Sequence, residues 1–145
     1  MIEIKKITAT ETYAVRQPVL RPGKPIESCQ FEGDDLKTTT HFGLFKEQTL
    51  IGVVSVFEVT HKDFEAKKQF QVRGMAILEN EQNKGYGNLL ITEVEKLAHK
   101  NKIEIIWFNA REKAVNFYQK MGYTILGTLF DIPNVGPHYV MWKQL

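Results

Sequence analysis

The 145-residue chain has one cysteine, Cys29, so it has no internal disulfide framework. A lone thiol fits a reducing compartment, and the cytoplasm is the expected location. Neither sign of charge predominates: 19 basic against 17 acidic residues leave a net charge of +2 with histidine neutral. That balance is too small to argue for a nucleic-acid or membrane partner. No apolar run is long enough to span a bilayer, and the opening "MIEIKKI" lacks the pattern of a signal peptide. His41, His61, His99 and His138 are scattered, without the spacing of a metal site. There is no internal repeat and no low-complexity segment. What is present is ordinary for a soluble globular protein, with 43% apolar and 25% charged residues. At this length a single domain over residues 1–145 is expected.

Alternation of Ile2 and Ile4 with polar residues reads as a first strand, Ile2–Ile7, and Thr10 is placed to cap a helix running to about Val19. Pro22, Gly23, Pro25 and Gly33 mark a loop with room for one helical turn. His41–Lys46 and Leu50–Thr60 read as a hairpin, and Phe70–Leu78 as a strand whose Gly74 signals a bulge or close backbone approach. Leu89, Leu90, Val94, Leu97 and Ala98 recur at helical spacing up to about Asn101. Ile103–Phe108 is a dense apolar strand, Ala110–Met121 repeats the helical period, and Gly122 suits the position that stops a helix. Tyr123–Phe130 and Tyr139–Lys143 close the chain as strands. The middle strand–helix–strand unit requires a parallel crossover, so the fold class is a mixed α/β (α+β) sheet flanked by helices.

Between the strand at Phe70–Leu78 and the following helix lies Gln82-Asn83-Lys84-Gly85-Tyr86-Gly87, of the form Q/R-x-x-G-x-G. A dinucleotide fingerprint would need a third glycine where Leu90 stands, and the P-loop pattern is absent. What remains is a glycine turn whose N–H groups, with the positive end of the helix, can wrap a diphosphate. The six residues alone fit equally well a helix start that uses glycine as a spacer.

Four blocks in order, "FQVRGMAIL", "QNKGYG", "IIWFNAR" and "AVNFYQKMGY", resemble the successive motifs of the GNAT acyl-CoA N-acyltransferase superfamily. Within it the closest resemblance is to the bacterial glyphosate N-acetyltransferases and their small-molecule relatives, and it extends over the whole chain. The resemblance implies a mostly antiparallel, twisted sheet of about seven strands. It implies acetyl-CoA as cosubstrate, held by Gln82, Asn83, Lys84, Gly85, Tyr86, Gly87 and Asn88 at the turn and by the backbone of Met75, Ala76 and Ile77. Asn109 and Phe117 complete that set, although Phe117, like Tyr123, also reads as core. No metal is implied.

Amide formation from a thioester needs a base for the amine, a donor for the oxyanion, an acid for the leaving thiolate and a grip on the acceptor. His138, in "VGPHYV", is the candidate base, a role the resemblance also implies. The strand carboxylate that serves many superfamily members as base is missing, since Arg73 and Met75 occupy that region. The N–H of Met75 is the candidate oxyanion donor. Tyr118 is the candidate acid; it follows Arg111 by seven residues, two helical turns, which predicts that both project from one helix face. Cys29 lies among Glu27, Glu32, Asp34 and Asp35, which disfavour a thiolate, so transfer without an acyl-enzyme is expected.

Arg21, Arg73 and Arg111 fall on a predicted loop, strand and helix start. By themselves they read as unrelated surface arginines. The resemblance implies that they converge on the phosphonate and carboxylate of an anionic amine, which the planar guanidinium fork suits. The expected activity is acetyl-CoA-dependent N-acetylation of a small anionic amine, an amino acid or aminophosphonate, by a monomer or homodimer. The alternatives are acetylation of a peptide or protein amine, a catalytically silent acyl-CoA-binding module and, more weakly, modification of an aminoglycoside.

Overall fold

The computed structural model describes residues 1–145. Seven strands and three helices follow in the order β1 (Ile2–Ile7), α1 (Ala9–Leu20), β2 (Thr40–Lys46), β3 (Thr49–Phe57), β4 (Gln69–Ile77), α2 (Tyr86–Lys100), β5 (Ile105–Arg111), α3 (Val115–Lys120), β6 (Thr124–Ile132) and β7 (Gly136–Gln144). Short 3-10 turns stand at Ile26–Cys29, Glu79–Glu81 and Glu112–Ala114. The strands form one sheet in the order β1-β2-β3-β4-β5-β7-β6. Only β4 and β5 are parallel, as the crossover through α2 requires; every other pair is antiparallel.

Neighbouring residues on a strand face opposite sides, so Val53 and Val54 serve different layers. Val53 packs with Val15 of α1 and Ala76 of β4. Val54 joins Phe42, Leu44, Val72 and Ile106 beneath Leu90, Ile91 and Val94 of α2. The two helices thus cover opposite faces, and β3 is buried on both. That explains its nearly continuous apolar run, "VVSVF", broken only by buried Ser55.

Several local expectations shift. The cap of α1 is Thr8, not Thr10: its hydroxyl accepts from Glu11 N at 3.2 Å, and the Glu11 carboxylate accepts from Thr8 N at 2.9 Å. This reciprocal box is written T-x-x-E in the sequence, one residue before the helix begins. The hairpin between β2 and β3 turns through Glu47 and Gln48, both left-handed at φ 48° and 69°. The larger correction concerns the stretch after β5. The helix expected from Ala110 is confined to Val115–Lys120, because Asn109, Ala110 and Arg111 pair with Val140, Tyr139 and His138 of β7. Ladder bonds to a distant strand outweigh the helix preference of Ala110 and Arg111, which amounts to only roughly a few tenths of a kcal/mol per residue. Arg111 therefore ends a strand, and it shares no helix face with Tyr118.

A buried polar cluster fastens the long connection between α1 and β2. Arg16 is fully buried and forms a forked pair with Asp34, at 2.7 and 3.1 Å. The same guanidinium donates to Cys29 O and Ser55 Oγ. His41 closes the cluster, with Nδ1 2.6 Å from Ser55 Oγ and Nε2 2.9 Å from Asp34 O. Both of its nitrogens are engaged, in keeping with a structural role, and exposed His99 stands at the other extreme. Removing one member of a buried pair strands the other charge, at a cost of about 3–5 kcal/mol. Asp34→Ala should lower stability in urea unfolding by about that amount, whereas Leu36→Ala, at an exposed position nearby, should change it by less than about 0.5 kcal/mol.

Candidate active site

β4 and β5 pair only from Gln69–Gln71 to Ile105–Trp107. Beyond that point Gly74, at φ +66°, sits at the bulge where the β3–β4 register shifts, and the two strands part. Their facing edges carry no ladder bonds to each other there, so backbone groups of both border an open cleft. A cavity of about 770 Å³ fills it.

This one cavity is lined by sequence candidates from every quarter of the chain. Met75, Ala76 and Ile77 come from β4, and Gln82, Asn83 and Gly85 from the turn. Tyr86, Gly87 and Asn88 come from the first turn of α2, and Asn109 and Arg111 from β5. Phe117 and Tyr118 of α3, His138 of β7, Arg21 and Arg73 complete the wall. Lys84 is the exception: its side chain is drawn into an ion pair with Glu81, at 2.9 Å, and is absent from the lining.

The turn has the form that a phosphate needs. Asn83 and Gly85 are both left-handed, at φ 65° and 85°, and Gly85 caps α2 without any side-chain hydrogen bond. The leading N–H groups of that 15-residue helix are left without intrahelical partners. Gln82 Nε2 donates to Ile77 O at 2.9 Å and so ties the turn to the end of β4. A side chain at Gly87 would press on Phe117, its Cβ only 3.2 Å from Cζ, so glycine keeps this approach open. The donor set, the helix end and the open space fit the diphosphate of an acyl-CoA.

His138 is 4% exposed, opposite Arg111 on β5 and Phe130 on β6. Its Nδ1 lies 2.7 Å from Gly136 O. A carbonyl only accepts, so in the neutral ring Nδ1 carries the hydrogen and Nε2 keeps the lone pair. No protein group bonds Nε2, and the residue borders the cavity. Tyr118 packs between Phe108 and Phe117, with ring centroids at 4.4 and 5.0 Å. Burial pushes its pKa up to about 12.

The arginines gather around a residue that the sequence did not single out. The Phe31 ring has Arg16, Arg73 and Arg21 at 3.9, 5.0 and 5.6 Å from its centroid. Arg73 also lies 5.4 Å from Phe57. Burial lowers the pKa of Arg73, with the Asp34 carboxylate opposing the shift. Arg16 has Asp34, but no carboxylate pairs with Arg21, Arg73 or Arg111. Phe31, Val19, Leu20, Ile132 and Val135 form apolar wall beside them. Phe31 stands in "CQFEGDD", an acidic loop, and only the fold discloses its cationic neighbours. No group of three or more His, Cys, Asp or Glu side chains is placed to hold a metal ion, and no helix is long and apolar enough to cross a membrane.

A model described as the acetyltransferase (GNAT) family matches residues 6–123. The chain belongs to the GNAT family. YitI of Bacillus subtilis (strain 168), an uncharacterised N-acetyltransferase, is 34% identical over the full chain and 97% of its own length. Among solved structures, this GNAT acetyltransferase superposes on a Lactobacillus plantarum protein with a TM-score of 0.80 at 20% identity, over 99% of this chain and 98% of that one. It also matches the PaiA N-acetyltransferase of Thermoplasma acidophilum in complex with coenzyme A, with a TM-score of 0.75 at 19% identity, over 100% and 99%. Those likenesses establish the fold.

A raised phenol pKa keeps Tyr118 of this acetyltransferase protonated wherever amine acetylation is assayed. Its proton is fully present below the free-phenol value near 10 and is lost only as pH passes about 12. The ratio of wild-type to Tyr118→Phe kcat should therefore stay constant from roughly pH 6 to 10. A ratio that collapses towards pH 9 would show Tyr118 losing its proton below the raised value, and a ratio near one throughout would assign the proton to another group.

Proposed function

We propose that the enzyme acetylates the amine of a small anionic molecule by direct transfer from acetyl-CoA. The observation that carries this is the pair Arg21 and Arg73, partly buried on a cavity wall with no carboxylate partner. A guanidinium out of bulk water with no carboxylate in contact is costly even with Asp34 acting on Arg73 from further off, and an anionic acceptor supplies the missing contact. Glu81 is the only acidic residue on the cavity wall, and it lies beside the turn. A peptide groove or a polycation site would want carboxylates at the acceptor end, so those alternatives are disfavoured. Amino acids and aminophosphonates of the glyphosate kind are the first acceptors to test.

In this reading Gln82–Asn88 and the exposed edge of β4 hold acetyl-CoA, which supplies an acetyl group already activated as a thioester. Arg21, Arg73 and Arg111 orient the acceptor by its anionic groups. His138 Nε2 takes the proton that the amine loses as the new C–N bond forms. The N–H of Met75 is the proposed donor to the carbonyl oxygen as negative charge grows on it. The C–S bond then breaks, and Tyr118 hands its hydroxyl proton to the departing sulfur. A phenol at about 12 giving a proton to an ordinary thiolate near 8.5 is uphill by about 5 kcal/mol. Tyr118 therefore acts first as a hydrogen-bond donor, and full transfer requires the sulfur to be desolvated in the same closed space.

Release of free CoA, followed over a panel of amino acids, aminophosphonates, peptides and polyamines, tests the proposal. His138→Ala should lower kcat about a hundredfold or more on the best anionic acceptor. Arg73→Ala should raise the acceptor KM by about ten- to a hundredfold, the worth of a charged hydrogen bond. Turnover confined to polycations or peptides would refute the acceptor class. An unchanged rate in His138→Ala would refute the base.

A further inference from the structure

The carboxylate of Glu81 is an anion on the wall of a site read here as binding phosphates. It closes the 3-10 turn Glu79–Glu81 and immediately precedes the phosphate-binding turn. Lys84 Nζ donates to Oε1 at 2.9 Å, and Lys46 Nζ, from the end of β2, donates to Oε1 at 3.1 Å and to Oε2 at 3.4 Å. These two ammonium groups hold the Glu81 carboxyl below its usual range. The side chain of Glu81 is 13% exposed, against 46% and 38% for Lys84 and Lys46. Glu81 lines the cavity and neither lysine does.

We propose that Glu81 sets the affinity for the phosphates of CoA, by holding Lys46 and Lys84 in the free protein and competing with those phosphates for them. This rests on the reading that acyl-CoA occupies the turn at Gln82–Asn88. A phosphate carries more charge and more acceptor oxygens than a carboxylate, and both lysines have long, partly exposed stems free to swing. Binding then transfers ammonium contacts from Glu81 to the ligand. The cost of breaking those ion pairs weakens the grip on CoA, which favours departure of the product. Glu81 is a positioning residue in this account, acting through the lysines.

Calorimetric binding of CoA, 3′-dephospho-CoA and pantetheine to wild type, Glu81→Gln and the Lys46→Gln/Lys84→Gln pair tests it, with and without Glu81→Gln added to the pair. Glu81→Gln should bind CoA about three- to tenfold more tightly, the size expected from releasing two exposed ion pairs. The gain should shrink with added salt, be absent for pantetheine, and fall below about twofold in the lysine-substituted background. A gain kept with 3′-dephospho-CoA assigns the competition to the diphosphate; one lost there assigns it to the 3′-phosphate. Equal or weaker CoA binding by Glu81→Gln overturns the proposal, as does a full gain without the lysines or an equal gain with pantetheine. Failure of wild type to bind CoA at all would instead sink the cofactor site on which it rests.

Discussion

The forked pair between Arg16 and Asp34 is the contact on which the arginine-lined end of the cleft depends. Residues 21–39 contain one short 3-10 turn and otherwise no regular structure, so their backbone cannot fix its own path. Asp34 fixes it from within: its carboxylate takes Arg16 on one side and the N–H of Phe31 on the other, at 2.9 Å. That bond sets Phe31 against the Arg16 guanidinium, and the ring in turn meets Arg21 and Arg73. A buried ion pair is seldom worth more in stability than apolar residues of the same volume. Its value here is directional, since apolar packing alone would not specify which loop residue faces the cleft.

The same ring links the loop to the bulge in β4. A Cβ at position 74 would stand 2.7 Å from Phe31 Cε2, and the left-handed backbone there disfavours any other residue. Gly74 therefore does two things at once. It lets β4 bend away from β5, which opens the cleft and frees strand edges, and it leaves room for Phe31 to lie flat across the bend. The arginine-bearing wall and the free edge of β4 are two sides of one packing contact, so a change in either is felt in the other.

What was legible in the sequence was written locally. The glycine turn, the stop at Gly122 and the bulge at Gly74 each depend on backbone preferences of a few neighbours, and each is found where those preferences put it. The end of β5 was not legible, because "NAREKAVNFY" is a fair helix by composition, and its first three residues become strand only through a partner some thirty residues away. Arg16 was hidden for a related reason. An arginine in an amphipathic helix reads as solvent-facing until Asp34, Ser55 and Cys29 are brought to it. Resemblance alone relates the arginines to an acceptor, and that Phe31 gathers two of them is written only in the fold. Lys84 matched a motif position, yet its side chain answers to Glu81, a contact no motif records.

In the proposed reaction the cations of the cleft bear on the proton as well as on the anion. An amine entering as ammonium must be deprotonated, and an ordinary imidazole near 6.5 is a weak base for that task. Against an ε-type amine near 10.4 the transfer is uphill by about 5 kcal/mol, and against the terminal α-amine of a peptide near 8 by about 2 kcal/mol, with the α-amine of a free amino acid between the two. Arg21, Arg73 and Arg111 on the same cavity wall disfavour a further positive charge on any group beside them, and so lower the proton affinity of an amine held against them. An acceptor whose anionic groups fully neutralised the arginines would forfeit that help. In the proposed reaction the amine therefore gains only where its anionic groups partly offset the cluster and it lies nearer the arginines than the receiving imidazole does.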